Sequence, residues 1–210
     1  MTEGQRTIME RLRDETSDLH KHAESRPLQR QIAKGTVDRE AFVRYLGQLF
    51  LLHRALETAL REARGKHTAI AALATSERMR VPDLSFDLEF FGVAPESIRP
   101  GRATGRFVRL VEKTRGLDPV VLLGAFYVVE GSTNGGRFLA QVLHRAWNLE
   151  GDGVASFDPY GDRQPLMWDA FKREMNAAAF EPGHVEAIVD MARTTFKAIA
   201  EISDEAASCG

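Results

Sequence analysis

Apolar residues recur every three or four positions along almost the whole chain, and the strict alternation of a half-buried strand is hard to find anywhere. The first helix is expected from about Thr7 to Glu24, with Ile8, Leu12 and Leu19 on its apolar side. A short segment opens at Pro27-Leu28 and closes at Lys34-Gly35, where glycine suits a helix C-terminus. Thr36 or Asp38 then caps a strong helix carrying Phe42, Leu46, Leu49, His53, Leu56 and Leu60 at helical spacing. Gly65-Lys66-His67 punctuates. Helices are expected over Thr68 to about Arg78, from Val81-Pro82-Asp83 to Phe91-Gly92, and over about Thr104 to Arg115, with Pro95 and Pro100-Gly101 marking a loop. Asp118-Pro119 caps a long helix ending near Asn148, Gly151 to Gly161 reads as a loop, and helices over about Pro165 to Ala178 and Pro182 to Asp204 complete an all-α pattern. No repeat or domain boundary interrupts it, so residues 1–210 are expected to form a single domain, with a disordered tail from about 205.

The Asp118–Asn148 helix carries an anomaly. Gly131-Ser132-Thr133-Asn134-Gly135-Gly136 sits in its middle, although each interior glycine costs about 1 kcal/mol relative to alanine. Gly131 and Gly135 share a face, with Gly136 beside them, and bare backbone there lets something come very close. A tight helix crossing, a helix break and a flat ligand lying on the backbone all fit this stretch.

The bulk properties narrow the alternatives. With 43% hydrophobic and 28% charged residues and a net charge of -2, the chain has the balance of an ordinary soluble protein and no global pull toward nucleic acid or an anionic membrane. The longest apolar run, Val120 to Val129, is too short to span a bilayer. Its N-terminal residues lead into a charged helix and not a secretory signal, and the single cysteine, Cys209, allows no intrachain disulfide. A cytoplasmic location is the expectation.

His20 is the candidate ligand residue. Thr16 and Glu24 lie one turn to either side on nearly the same face, and Arg13 lies about 10 Å along the axis. His22 points the other way, which disfavours a two-histidine zinc site. One imidazole with a carboxylate on its second ring nitrogen suits an axial iron ligand, although a surface histidine has the same local pattern. His53 stands on an apolar face, as a satisfied core histidine or an anchor for ordered water. Glu130 is expected to emerge at a helix edge or to pair with a cation, and Lys172-Arg173 to form a solvated basic pair or to grip a ligand carboxylate.

Taken together, these segments resemble the heme oxygenase family across nearly the whole chain. Leu12 to Glu24 is similar to the family's proximal helix, a pattern of the form L-[KR]-x-x-T-x-x-x-H-x-x-A-E, and Gly131 to Gly136 to its glycine-bearing distal helix. Asp87-Leu88-Glu89-Phe90-Phe91-Gly92, Phe171 to Asn176, Glu181-Pro182 and Ala192 to Phe196 run in register with further family segments. The resemblance implies an all-α fold with haem sandwiched between the first helix and the glycine-rich one. It makes His20 the iron ligand, Glu24 its acceptor, and Gly131, Gly135 and Gly136 the distal wall. Arg13 and Lys172 match positions of basic groups near the propionates, while Phe126 stands where some members have a propionate-contacting tyrosine, a role open to Tyr127.

The chain departs from many members in carrying Ser132 where they have an aspartate that organises the distal water. Several bacterial members resemble it in this, and His53 matches a position facing the distal pocket, which makes it the expected replacement anchor. The implied reaction opens haem to biliverdin, carbon monoxide and ferrous iron, with haem as both cofactor and substrate, O2 as co-substrate and electrons from a ferredoxin or flavoprotein reductase. Two competing readings are a haem carrier without turnover and a non-haem enzyme on the same scaffold.

Overall fold

In a computed structural model, which describes residues 6–149 and 153–208, the chain is all-α, with nine α-helices and no strand among the described residues. They are α1 (Ile8–Glu24), α2 (Pro27–Lys34), α3 (Arg39–Ala63), α4 (Thr68–Leu73), α5 (Val81–Phe90), α6 (Arg102–Leu117), α7 (Leu123–Trp147), α8 (Gln164–Ala177) and α9 (Pro182–Ser208). Local chemistry explains the ends. Thr7 and Glu10 form a reciprocal capping box at α1, and Asp38 rather than Thr36 caps α3 through the Ala41 N–H. Gly35 and Asn148 close α2 and α7 in left-handed conformations.

The differences from the sequence pattern are local. The expected Thr68–Arg78 helix stops at Leu73, and Ser76–Arg78 forms a separate 3-10 turn. Pro119–Leu122 is another 3-10 turn, so the long glycine-bearing helix starts at Leu123. The last helix does not fray at 205: it runs to Ser208, and Ile202, Ser203 and Ala206 are buried. Cys209 and most of the glycine-rich turn at Gly151 lie outside the described residues.

Helix α9 is the spine, touching α1, α2, α3, α6 and α7. Gly124 permits the α7–α9 crossing, because a Cβ there would overlap the carbonyl oxygen of Ile188. Helix α1 is pinned to α9 by Arg11, which donates to both oxygens of Glu186 at 2.7 and 2.9 Å, and by Arg193, which donates to Glu15 at 2.8 Å. Such partly exposed pairs each contribute only about 0–1 kcal/mol, but they fix the rotation of α1 about its axis. Among the described residues no helix is long and apolar enough to cross a membrane.

Candidate active site

A cavity of about 560 Å³ opens between α1 and α7, with residues of α2, α3, α8, α9, the start of α5 and the Ser156–Phe157 segment completing its walls. Its size is that of a small-molecule site. Of the residues singled out in the sequence, Arg13, His20, Glu24, His53, Tyr127, Gly131, Ser132, Gly135 and Gly136 all line it, although they come from three helices far apart in the chain.

On the α1 wall, His20 is half exposed, with its ring edge-on to Phe196 of α9 at 5.4 Å between centroids. Glu24 places a carboxylate oxygen 3.6 Å from His20 Nδ1, just beyond hydrogen-bond distance, on the side of the ring away from Nε2. Arg13 is exposed at the same wall and bonded to Asp14 at 2.9 Å. Thr16, one turn before His20, is buried and donates its hydroxyl to Leu12 O at 2.6 Å.

The opposing wall is α7, which runs unbroken through its glycines. Each glycine has its own neighbour. A Cβ on Gly131 would sit in ordinary contact with the Trp168 indole at 3.4 Å, and one on Gly135 would meet nothing within 4 Å. One on Gly136 would overlap the carbonyl oxygen of Phe157. All three glycines line the cavity, and at Gly136 a crossing segment of backbone by itself also demands glycine. Gly135 is the position at which bare backbone faces open cavity. Ser132 donates its hydroxyl to Val129 O at 2.7 Å, which commits its proton to the helix and leaves only its lone pairs for the cavity.

His53, on α3, is buried and directs Nδ1 to Glu57 Oε1 at 3.1 Å. With Glu57 ionised and the ring neutral, Nδ1 carries the proton and Nε2 is left as the acceptor. Glu57 also accepts the backbone N–H groups of Arg80 at 2.7 Å and Val81 at 3.2 Å. The Arg80 guanidinium continues the chain: it lies over the Tyr160 ring at 4.9 Å and approaches the Tyr160 hydroxyl at 3.5 Å. That hydroxyl donates to Glu130 at 3.0 Å, and Arg78 stands 3.9 Å from the same carboxylate. Glu130 is therefore not at a helix edge; it is buried and paired, and burial pushes its carboxyl above the ordinary range against the pull of Tyr160, Arg78 and Arg80. Burial likewise raises the Tyr127 and Tyr160 phenols, and the Glu130 charge raises Tyr160 further.

Two expected site residues are not brought to the cavity. Lys172 projects from α8 to Asp169 at 2.7 Å, one turn back on the same helix, and is not among the lining residues. Phe126 is fully buried against Phe171 at 5.9 Å, because the one-residue step from Tyr127 turns it by about 100° into the core. Arg80, Trp168, Phe157 and Phe196 line the cavity without having been singled out as site residues. Their own helices give no signal for this; only the fold brings them to the same opening.

The family described as heme oxygenase matches residues 6–205. Heme oxygenase 2 of Synechocystis sp. is 27% identical over 93% of this chain and 81% of its own length. The structure of heme oxygenase from Leptospira interrogans superposes with a TM-score of 0.87 at 25% identity, covering 95% of this chain and 100% of the other. That of Synechocystis heme oxygenase-2 in complex with heme and NO gives 0.89 at 25% identity, covering 96% and 85%. With its proximal-type histidine helix and its glycine-bearing helix lining one cavity, the chain belongs to the heme oxygenase family.

Proposed function

We propose that this protein binds haem in the cavity between α1 and α7 and opens it to biliverdin, carbon monoxide and ferrous iron, using O2 and electrons from an external ferredoxin or flavoprotein reductase. The observation that carries this reading is that His20 and the bare backbone at Gly135 line the same open slot. The residues fit a flat iron-bearing ligand: a single imidazole backed by a carboxylate, an uncovered stretch of helix backbone, and an exposed arginine at the edge for an acidic substituent. The relative from Synechocystis that was solved with heme and NO supports the same choice of ligand. We place the reaction in the cytoplasm, where Cys209 remains a thiol.

Haem, when bound, supplies the iron at which O2 is activated. The chain's own residues do the rest. His20 Nε2 would hold the iron, with the Glu24 carboxylate beside Nδ1. Arg13 and Tyr127 are the polar groups at the cavity edge suited to a propionate, and neither Lys172 nor Phe126 takes part. Ser132 can accept a hydrogen bond from a cavity water but has no proton to give it. His53, protonated on Nδ1, accepts at Nε2 and so holds a water by one O–H, leaving the other free to point into the slot. This pairing is how we read the missing aspartate's work as being done.

Hemin titration followed by O2 and a reductant tests the reading. The expected result is one-to-one binding with a histidine-ligated Soret band, then loss of that band as biliverdin absorption grows. His20→Ala removes the ligation signature, and His53→Ala slows biliverdin formation with hemin affinity nearly intact. Absence of saturable hemin binding overturns the reading. Tight binding with no biliverdin leaves a haem carrier instead.

A further inference from the structure

We propose that Glu130 is a positioning residue for His53, acting through Tyr160, Arg80 and Glu57. The consequence for turnover rests on the haem reading above; the coupling itself concerns only the protein's side chains. Glu130 immediately precedes Gly131 on α7, yet it points away from the cavity into a buried chain of polar groups. From Glu130 the chain runs to the Tyr160 hydroxyl at 3.0 Å, to the Arg80 guanidinium at 3.5 Å, and from the Arg80 backbone N–H to Glu57 at 2.7 Å. Glu57 then meets His53 Nδ1 at 3.1 Å. Every member is 8% exposed or less.

Charge balance explains why the far end of this chain reaches the near one. Arg78 and Arg80 bring two buried cations, and both have an Nε without a hydrogen-bond partner. Three carboxylates face them: Glu130 is buried, while Glu174 on Arg78 and Asp83 on Arg80 sit toward solvent; the buried Glu57 meets Arg80 at its backbone N–H. Buried ion pairs give a fold little net stability compared with apolar packing of the same volume, whereas removing one partner leaves its cation uncompensated. Neutralising Glu130 therefore leaves Arg80 to lean on Asp83 alone, and a shift of Arg80 moves the backbone N–H that Glu57 accepts. Glu57 is the carboxylate that fixes the His53 tautomer, so the acceptor nitrogen offered to the cavity depends on a residue that does not touch it. Only the Arg80–Tyr160 link is long, and it is also held by the cation over the ring.

The test uses the ligand-free protein labelled with 15N-histidine, titrated with pH by NMR, in wild type, Glu130→Gln, Glu130→Asp and Tyr160→Phe. The expected result is a shift of the His53 titration midpoint by roughly half a pH unit or more, a threefold change in its proton equilibrium, in Glu130→Gln and Tyr160→Phe, with partial recovery in Glu130→Asp. His67 and His184, which belong to a separate cluster with Asp118, serve as references for an intact fold. On hemin loading, the same two variants keep wild-type hemin affinity and form biliverdin several-fold more slowly. A His53 titration identical to wild type in the folded variants overturns the proposal. If Glu130→Gln does not fold, Tyr160→Phe, which removes one hydroxyl, decides. A failure of hemin to bind would sink the functional reading and leave the NMR result standing.

Discussion

Gly135 and Gly136 are neighbours with the same side chain and different reasons for it. At Gly135 a methyl group meets open space, so Gly135→Ala should leave the ligand-free protein as stable as wild type or up to about 1 kcal/mol more stable, through helix propensity alone. Hemin should bind it at least tenfold more weakly, about 1.4 kcal/mol, because the methyl group occupies the bare backbone. At Gly136 a methyl group collides with the Phe157 carbonyl, so Gly136→Ala should cost about 1–3 kcal/mol in urea unfolding before any ligand is added. Equal hemin affinity in Gly135→Ala and wild type would show that this face of α7 does not carry the ligand. Sequence spacing revealed that these glycines share a helix, but not which of them faces a void and which a carbonyl. The same limit applied to Lys172, whose ammonium turns back to Asp169. The spacing of His20 and Glu24, four residues apart on one helix, was visible in the sequence, whereas the Glu57 partner of His53 was found only in the fold.

At the scale of elements, the segment from Gly153 to Arg163 is held to the helices around it by buried carboxylates at its two ends. Asp87 of α5 accepts the Ala155 and Ser156 N–H groups at 2.8 Å each, and Glu130 of α7 accepts the Tyr160 hydroxyl. Ser156 and Phe157, between those anchors, form part of the cavity wall. Burial holds both carboxyls above the ordinary range. The folded chain therefore keeps these protons at pH values where the unfolded chain has released them. Their contribution to stability grows as pH falls from the raised values toward the ordinary values of 3.8 and 4.5, and it is lost as pH rises through the raised ones. Asp87→Asn has no proton to take up. Between pH 7 and 4.5, its urea midpoint should gain less on acidification than wild type's, or fall more steeply, and parallel curves would contradict the assignment. The helices themselves were largely legible, since a 3.6-residue apolar period and caps such as Thr7 and Asp38 are local signals. This carboxylate-held segment was not, because its partners Asp87 and Glu130 lie far along the chain, and neither was the break after Leu73, where Arg78 donates to Leu73 O and reaches across to Glu174 of α8.

On the scale of the whole molecule, α1 and α7 both pack on α9 and leave a slot between them, so the ligand-free protein has two helices with facing sides that do not meet. The fold class followed from the pattern of helices, but the slot depends on how far apart α9 holds its two neighbours, which no local spacing encodes. A ligand that fills it binds the folded chain and not the unfolded one, and so adds stability by mass action. Free hemin at a hundred times its Kd should contribute about 2.7 kcal/mol, which for a chain of 210 residues corresponds to a rise in Tm of roughly 5–10 °C. The rise should grow logarithmically with hemin concentration in differential scanning calorimetry. In His20→Ala the same hemin concentration should give a much smaller shift, since the imidazole that would hold the iron is gone while the apolar walls remain. An undiminished shift in that variant would mean that hemin is held by surface adsorption or by another histidine. A shift in wild type that did not depend on hemin concentration would argue against a saturable site between α1 and α7.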